Sequence, residues 1–333
     1  MYKIGTCGLP NSGKSTFLKT VSKIDLEIGN YPFTTKKPKI VTALVISKNL
    51  LDLHAITKTK ELIPAYLEFS DIPGLIRGSH KGLGLGNEFL SYLRACDIIL
   101  EIVRNFERID VPHVEGNIDP ERDILIIEEE IIKSDQVIIE EAIKKLEKTK
   151  KDKEKLEALK FIYEKLGPFK RFEEYQSQLK EYNLLITKKW FLLINGNKQI
   201  DLNKFKNLCF HNVYQLDCLF ELEIEEDEEI KKEIGSNIQW FLNEFRKDID
   251  LIEFFTFTKE ITQSWFIEKN SSILDCAKKI HSDFYNKFKS AEVINLDNFL
   301  SFSNWDEAKS REAIKQVGKD YVIQEGDIIK III

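Results

Sequence analysis

The sequence predicts an α/β protein: a mostly parallel sheet wrapped by helices, interrupted by an antiparallel pair of long helices and followed by a small β-grasp domain. Three observations carry this fold class. Short apolar runs at residues 4–7, 39–46, 65–71, 97–103 and 190–195 alternate with helical or loop patterns through the first 250 residues, as a parallel α/β sheet requires. Between residues 119 and 182 the period becomes helical throughout, with Lys and Glu dense around a thin apolar stripe. After residue 250 the order is strand, strand, helix, strand and a last strand pair.

Bulk properties narrow the classes. At 333 residues the chain is long enough for two or three domains, each with its own core. A net charge of −6 argues against a strongly basic nucleic-acid binder, so any RNA contact must come from a local patch. Five scattered cysteines without a CxxC spacing predict reduced thiols, no disulfide framework and no structural zinc. The chain enters a strand directly and no apolar run approaches a membrane span, so no signal peptide, no membrane contact and a cytoplasmic location are expected.

The first element organises the rest. Ile4 to Cys7 reads as a buried strand; Gly8 opens a loop closed by Gly13-Lys14-Ser15, and FLKTV then turns helical. Such a strand, glycine-bounded loop and helix form a phosphate-binding P-loop. Gly8 and Gly13 let backbone N–H groups face phosphate oxygens, Lys14 reaches the β- and γ-phosphates, Ser15 offers a hydroxyl to Mg²⁺, and the helix presents its positive dipole end. A bare GxxxxGK[ST] can arise by chance in a loop, but the flanking strand and helix argue against chance here. Residues 29–38 read as a loop. Strand 65–71 ends in DIPG, which assigns Asp71 to Mg²⁺ through water and the Gly74 N–H to the γ-phosphate. The bland alternative is a surface turn. Glycines 78, 82, 84 and 86 cost too much backbone entropy for regular structure and fit a switch that reorders around the γ-phosphate.

In residues 119–182, Ile124, Ile127, Ile131 and Ile132, then Ile143, Leu146, Leu156, Leu159 and Ile162, predict two long helices projecting as an antiparallel pair. Their charged faces are either simply solvated or, at the Lys-rich tip from Lys148 to Lys155, in contact with RNA. The sheet resumes at WFLLIN, and the Asn195-Gly196 turn at its end is where this fold class reads a purine base. A strand over 211–216, an acidic loop and a helix over 229–245 complete a nucleotide domain of residues 1–250, interrupted by the insertion. Residues 251–333 form the second domain, with Gly326-Asp327 as a turn between its last two strands.

The motifs GLPNSGKST, NYPFTT, DIPGLIRGSHKGLGLGNEFL, HVEGNIDPERDI, QSWFI, CAKKIHSDF and GKDYVIQEGD stand in an order that resembles the YchF, or Obg-like ATPase, branch of the Obg-related P-loop proteins. The resemblance covers nearly the whole chain, and its last three motifs match that family's C-terminal TGS domain. It implies a Mg²⁺-dependent NTPase that prefers ATP, carries the helical insertion and associates with the ribosome through its subunits, rRNA or a ribosomal protein; a monomer is expected. Matched residue by residue, it implies P-loop contacts from Asn11, Ser12, Gly13, Lys14, Ser15 and Thr16, and Mg²⁺ ligands Ser15 and Thr35. Asn11 also looks like the potassium-coordinating asparagine of related enzymes. K⁺ there would neutralise charge building between the β- and γ-phosphates, as an arginine finger does elsewhere.

Three departures qualify this picture. Leu75 stands where many GTPases keep a water-orienting glutamine and has no hydrogen-bonding group. The resemblance points instead to His113 as the catalytic group beside Lys14, with His80 a second candidate from the glycine-rich switch; a loop histidine is otherwise more often a surface residue. Guanosine enzymes place an aspartate three residues after the base-reading asparagine and the Obg-like ATPases a glutamate, whereas Asn195 is followed there by Lys198. ATP is therefore expected over GTP, with weak discrimination as the alternative. Thr34 replaces a cysteine common in the family, so thiol control at that site is not implied. An ATPase switch on the ribosome and a nucleotide-gated ribosome-binding protein with little catalysis both stay open.

Overall fold

The computed structural model describes residues 2–22, 39–72, 85–150, 152–226 and 236–333. Its elements begin with β1 (Lys3–Cys7), α1 (Lys14–Ser22), β2 (Lys39–Val45), α2 (Lys48–Thr57), β3 (Glu61–Ile63), β4 (Ala65–Asp71), α3 (Leu85–Arg94) and β5 (Ile98–Arg104). They continue with α4 (Pro120–Thr149), α5 (Lys153–Lys165), β6 (Lys189–Asn195), α6 (Asn203–Lys206), β7 (Val213–Leu216), α7 (Cys218–Glu226) and α8 (Ile238–Asp248). The last are β8 (Leu251–Phe257), β9 (Ile261–Glu268), α9 (Ile273–Ile280), α10 (Ser282–Asn286), β10 (Ser290–Asn295), α11 (Leu296–Phe299), α12 (Trp305–Ser310), β11 (Lys315–Val317) and β12 (Asp327–Ile332). Two compact units result, residues 2–43 with 68–238 and residues 44–67 with 239–333.

The first unit is built on a six-stranded sheet of order β2-β4-β1-β5-β6-β7. Pairing is parallel from β4 through β1, β5 and β6 to β7. Every residue of β5 is buried, as expected of a parallel strand covered on both faces. In register, Thr6 of β1 lies opposite Asp71 of β4, so the P-loop leaves the sheet beside that carboxylate.

Several elements differ from expectation. The helix α4 starts as the sequence suggests, on the Asp119 cap with Pro120 in its first turn, and the Asp119 carboxylate accepts the Arg122 N–H at 3.1 Å. Its partner α5 ends at Lys165, because Gly167-Pro168 follow and cannot continue a helix. The chain then runs through three short 3₁₀ turns that carry Phe172, Leu179, Leu184 and Leu185 into the core. Nor does the pair stand clear of the domain at its base. Ile124, Ile127 and Ile131 share one core with Leu9, Val103 and Trp190, so the insertion is docked by apolar burial. The expected acidic loop after β7 is helical over α7; residues 227–235 lie outside the described residues.

The second unit has a sheet of order β11-β10-β12-β8-β9-β3. The hairpin β8–β9 is antiparallel, β12 lies parallel to β8, and β10 pairs antiparallel with both β12 and β11, a β-grasp arrangement. The expected turn between the last two strands is therefore not a hairpin: β10 lies between β11 and β12. Gly326 (φ +85°) instead donates its N–H to Glu253 O at 2.8 Å and accepts from Leu296 N, also at 2.8 Å. The helix predicted across residues 272–288 breaks at His281 into α9 and α10. Residues 44–67, read in sequence within the nucleotide domain, fold here. Leu50 and Leu53 of α2 pack with Phe255 and Ile328, and β3 extends the sheet parallel to β9. Helix α2 went unpredicted; Ser47 caps it, accepting the Leu50 N–H at 3.0 Å while donating to Glu253. Among the described residues no helix is long and apolar enough to cross a membrane.

Candidate nucleotide site

The loop between β1 and α1 has its tight geometry because two glycines permit it. Gly8 (φ +150°) runs so close to β5 that a Cβ would sit 2.3 Å from Ile102 O. A Cβ on Gly13 (φ +95°) would sit 1.9 Å from Asn195 Nδ2. Neither position tolerates a side chain, which is why backbone rather than side chains lines the loop.

Lys14 is buried, and its ammonium donates to Gly8 O at 3.1 Å and Leu9 O at 2.9 Å. The buried Ser12 Oγ has no hydrogen-bond partner, an orphan polar group inside the loop. Such an orphan costs about 1–3 kcal/mol when left unpaired, and a phosphate oxygen would satisfy it. Ser15 is exposed at the start of α1 and Thr16 half-buried beside it. Burial raises the Asp71 carboxyl above the usual range, with Lys14 opposing the shift. Asp71 and the free Ser15 hydroxyl supply oxygen ligands of the kind Mg²⁺ takes. Thr35 and Gly74, together with Thr34, Leu75 and His80, lie outside the described residues.

Burial pushes the Lys14 ammonium down to about 8. A bound triphosphate favours the charged form and raises that value, so from pH 8 upward binding takes up a proton. Nucleotide affinity is therefore expected to fall above pH 8, by up to about tenfold per pH unit. Dissociation constants at pH 7, 8 and 9 check this, and a flat profile would remove Lys14 from the phosphate site.

The end of β6 meets the loop through Asn195. Its Nδ2 donates to Ser12 O at 2.9 Å and its Oδ1 accepts the Cys218 N–H at 3.0 Å. Asn195 is thus a brace between P-loop, β6 and α7, with one amide N–H remaining for a base. Gly196 (φ +137°) passes so close to the loop that follows β5 that a Cβ would lie 2.4 Å from Asn105 O. Asn11 (φ +63°) donates from Nδ2 to Pro112 O at 3.0 Å, which brings the loop carrying His113 against the P-loop. The His113 ring is buried and both its nitrogens are engaged: Nδ1 accepts the Glu115 N–H at 3.1 Å and Nε2 donates to Asp123 at 2.8 Å.

Sequence reasoning missed the loop after β5. Asn105 donates its N–H to Asn195 O at 2.7 Å and its amide to Lys198 O at 2.7 Å. Glu107 accepts from the Lys198 ammonium. No motif marks these residues; only the adjacency of β5 and β6 brings them to the site.

Two family models match the chain, one described as a 50S ribosome-binding GTPase over residues 3–145 and the YchF-GTPase C-terminal model, a protein of unknown function, over residues 251–333. The chain is 33% identical to an Obg-like ATPase 1 of Oryza sativa subsp. japonica, covering 98% of this chain and 91% of that protein. It is 31% identical to the ribosome-binding ATPase YchF of Bacillus subtilis, covering 98% and 97%. Among solved structures, a Schizosaccharomyces pombe YchF GTPase superposes with a TM-score of 0.79 at 27% identity, covering 99% of this chain and 97% of that one.

Proposed function

Because the chain belongs to the YchF/Obg-like ATPase family, we propose that it is a Mg²⁺-dependent ATPase whose nucleotide state controls its binding to ribosomes, and so a regulator of translation or of the stress response. The observation that carries this reading is the P-loop itself: a buried lysine and an orphan serine hydroxyl inside a glycine-shaped loop, beside a half-buried aspartate. Lys14 holds the β- and γ-phosphates, and Ser12 with the loop N–H groups cradles them. Ser15, Asp71 and Thr35 are the residues assigned to Mg²⁺, which when bound offsets charge on the phosphoryl oxygens. Asn11 spends its Nδ2 on Pro112 and keeps Oδ1 as an acceptor for K⁺. Positioning of water by His113 requires its Nε2 to leave Asp123. The exposed Lys148 and Lys150 at the α4 tip offer local positive charge to rRNA on a chain of net negative charge.

The engaged His113 ring favours one second reading, a nucleotide-gated ribosome-binding protein with little catalysis. Two measurements separate them: phosphate release from ATP in Mg²⁺ with K⁺ or Na⁺, and co-sedimentation with ribosomes with and without nucleotide. Multiple turnover, faster in K⁺, together with nucleotide-dependent pelleting is the expected result. Pelleting without turnover selects the second reading, and the absence of both removes the proposal.

A further inference from the structure

The base-reading turn lacks a carboxylate of its own, yet a carboxylate reaches it from a neighbouring loop. Lys198, third after Asn195, donates its ammonium to Glu107, on the loop that follows β5. The two loops are joined below this pair. Asn105 N–H donates to Asn195 O at 2.7 Å, and Lys198 O accepts from Asn105 Nδ2 at 2.7 Å and Gln215 Nε2 at 3.0 Å. Between Asn105 and Glu107, the Phe106 ring comes within 3.6 Å of where a Gly13 Cβ would stand, so this loop lies over the P-loop. The backbone beneath the pair is thus fixed while its side chains stay in solvent, 43% and 75% exposed. The Lys198 hydrogen bond, and then its charge, hold the Glu107 carboxyl below its usual range.

We propose that the Glu107–Lys198 pair is the base-reading element of this chain, and that it accepts both adenine and guanine nucleoside triphosphates. This rests on the nucleotide-site reading above. The reason is the order of donors and acceptors on the two purine edges. Adenine presents the N6 amine as donor and N1 as acceptor; guanine presents O6 as acceptor and N1–H with the N2 amine as donors. A lone carboxylate faces only donors. The ion pair holds an acceptor beside a cation with three N–H donors. With adenine, Glu107 takes the N6 amine and Lys198 donates to N1. With guanine, Lys198 donates to O6 and Glu107 takes N1–H and the N2 amine. Long, exposed side chains have the reach to exchange these roles.

The test measures dissociation constants for ATP, GTP and xanthosine triphosphate by displacement of a fluorescent ADP, in the intact protein and in Glu107→Gln and Lys198→Met. For the intact protein, ATP and GTP are expected to bind within about tenfold of each other, with xanthosine triphosphate weaker than either because its O2 faces the carboxylate. Glu107→Gln replaces that charge with an amide that donates as well as accepts. It is expected to weaken GTP by about tenfold or more and to strengthen xanthosine triphosphate by a similar factor. Lys198→Met is expected to weaken ATP and GTP together. A discrimination of 100-fold in the intact protein, or variants that keep all three affinities unchanged, overturns the inference and leaves the nucleotide site standing. Failure of the intact protein to bind any of the three overturns the site itself. Because both side chains are exposed, thermal melts of the variants are expected to match the intact protein.

Discussion

Lys14→Ala is expected to reduce turnover by about 10²–10³ while leaving the fold intact. The catalytic loss follows from where charge develops. As the γ-phosphoryl group transfers, negative charge spreads over oxygens that only a few preorganised donors can reach, and a buried ammonium is worth more there than in water. Lys14 is 7% exposed and braced on two carbonyls of its own loop, so it is already in place before nucleotide arrives. The stability change is expected to be small for the opposite reason. A buried ammonium is costly to desolvate, as its downward shift to about 8 records, and removing it relieves that cost while freeing two carbonyls. Steady-state phosphate release in Mg²⁺ and a thermal melt of the same preparation check both halves. Turnover within threefold of the parent would assign the hydrolysis to something other than this loop.

Arg171→Met is expected to destabilise the first unit by about 3–5 kcal/mol, the usual cost of breaking a buried ion pair from one side. Arg171 donates to both oxygens of Glu128, one of them at 3.0 Å, with the two side chains 6% and 0% exposed, and its guanidinium lies 4.8 Å over the Trp190 ring. It joins the segment after α5 to the first third of α4 and to β6. A second carboxyl depends on the same cation. Glu101 of β5 is fully buried with neither oxygen hydrogen-bonded; burial, followed by the charge of Glu128, pushes it well above the usual range, and Arg171 opposes that shift. Without Arg171, Glu128 keeps only the Phe169 N–H at 3.3 Å and the Cys209 thiol as donors and loses its cation, beside the unpaired Glu101. The double variant Arg171→Met/Glu128→Met removes both charges and is expected to recover most of the loss. Urea unfolding of the single and double variants measures the cycle. Equal instability of the two would assign the effect to packing over Trp190.

The P-loop strand, the lysine buried in its loop and the aspartate beside it were legible in sequence because each is local. A glycine spacing and a strand end are short-range properties, and the structure places Thr6 and Asp71 side by side as adjacent parallel strands require. The length of α5 was legible in principle: Gly167-Pro168 stops the helix at Lys165, although its charge pattern continues. Helix α2 was not, because its apolar residues answer to Phe255 and Ile328, roughly 200 and 275 positions away in the chain. The β10 strand between β11 and β12 was hidden for the same reason, since a Gly-Asp turn looks alike in a hairpin and in a crossover.

The base site divides along that line. The sequence alone determined that Asn195, the asparagine expected to read a purine, is followed by a lysine where a carboxylate is expected, because both belong to one short turn. Only the tertiary structure decided that Asn195 braces the P-loop with one of its amide N–H groups and that Glu107 stands against Lys198. Local spacing fixes which groups one loop can offer. Which groups meet is decided by the pairing of β5 with β6, a contact between segments some 90 residues apart that leaves no period in either of them.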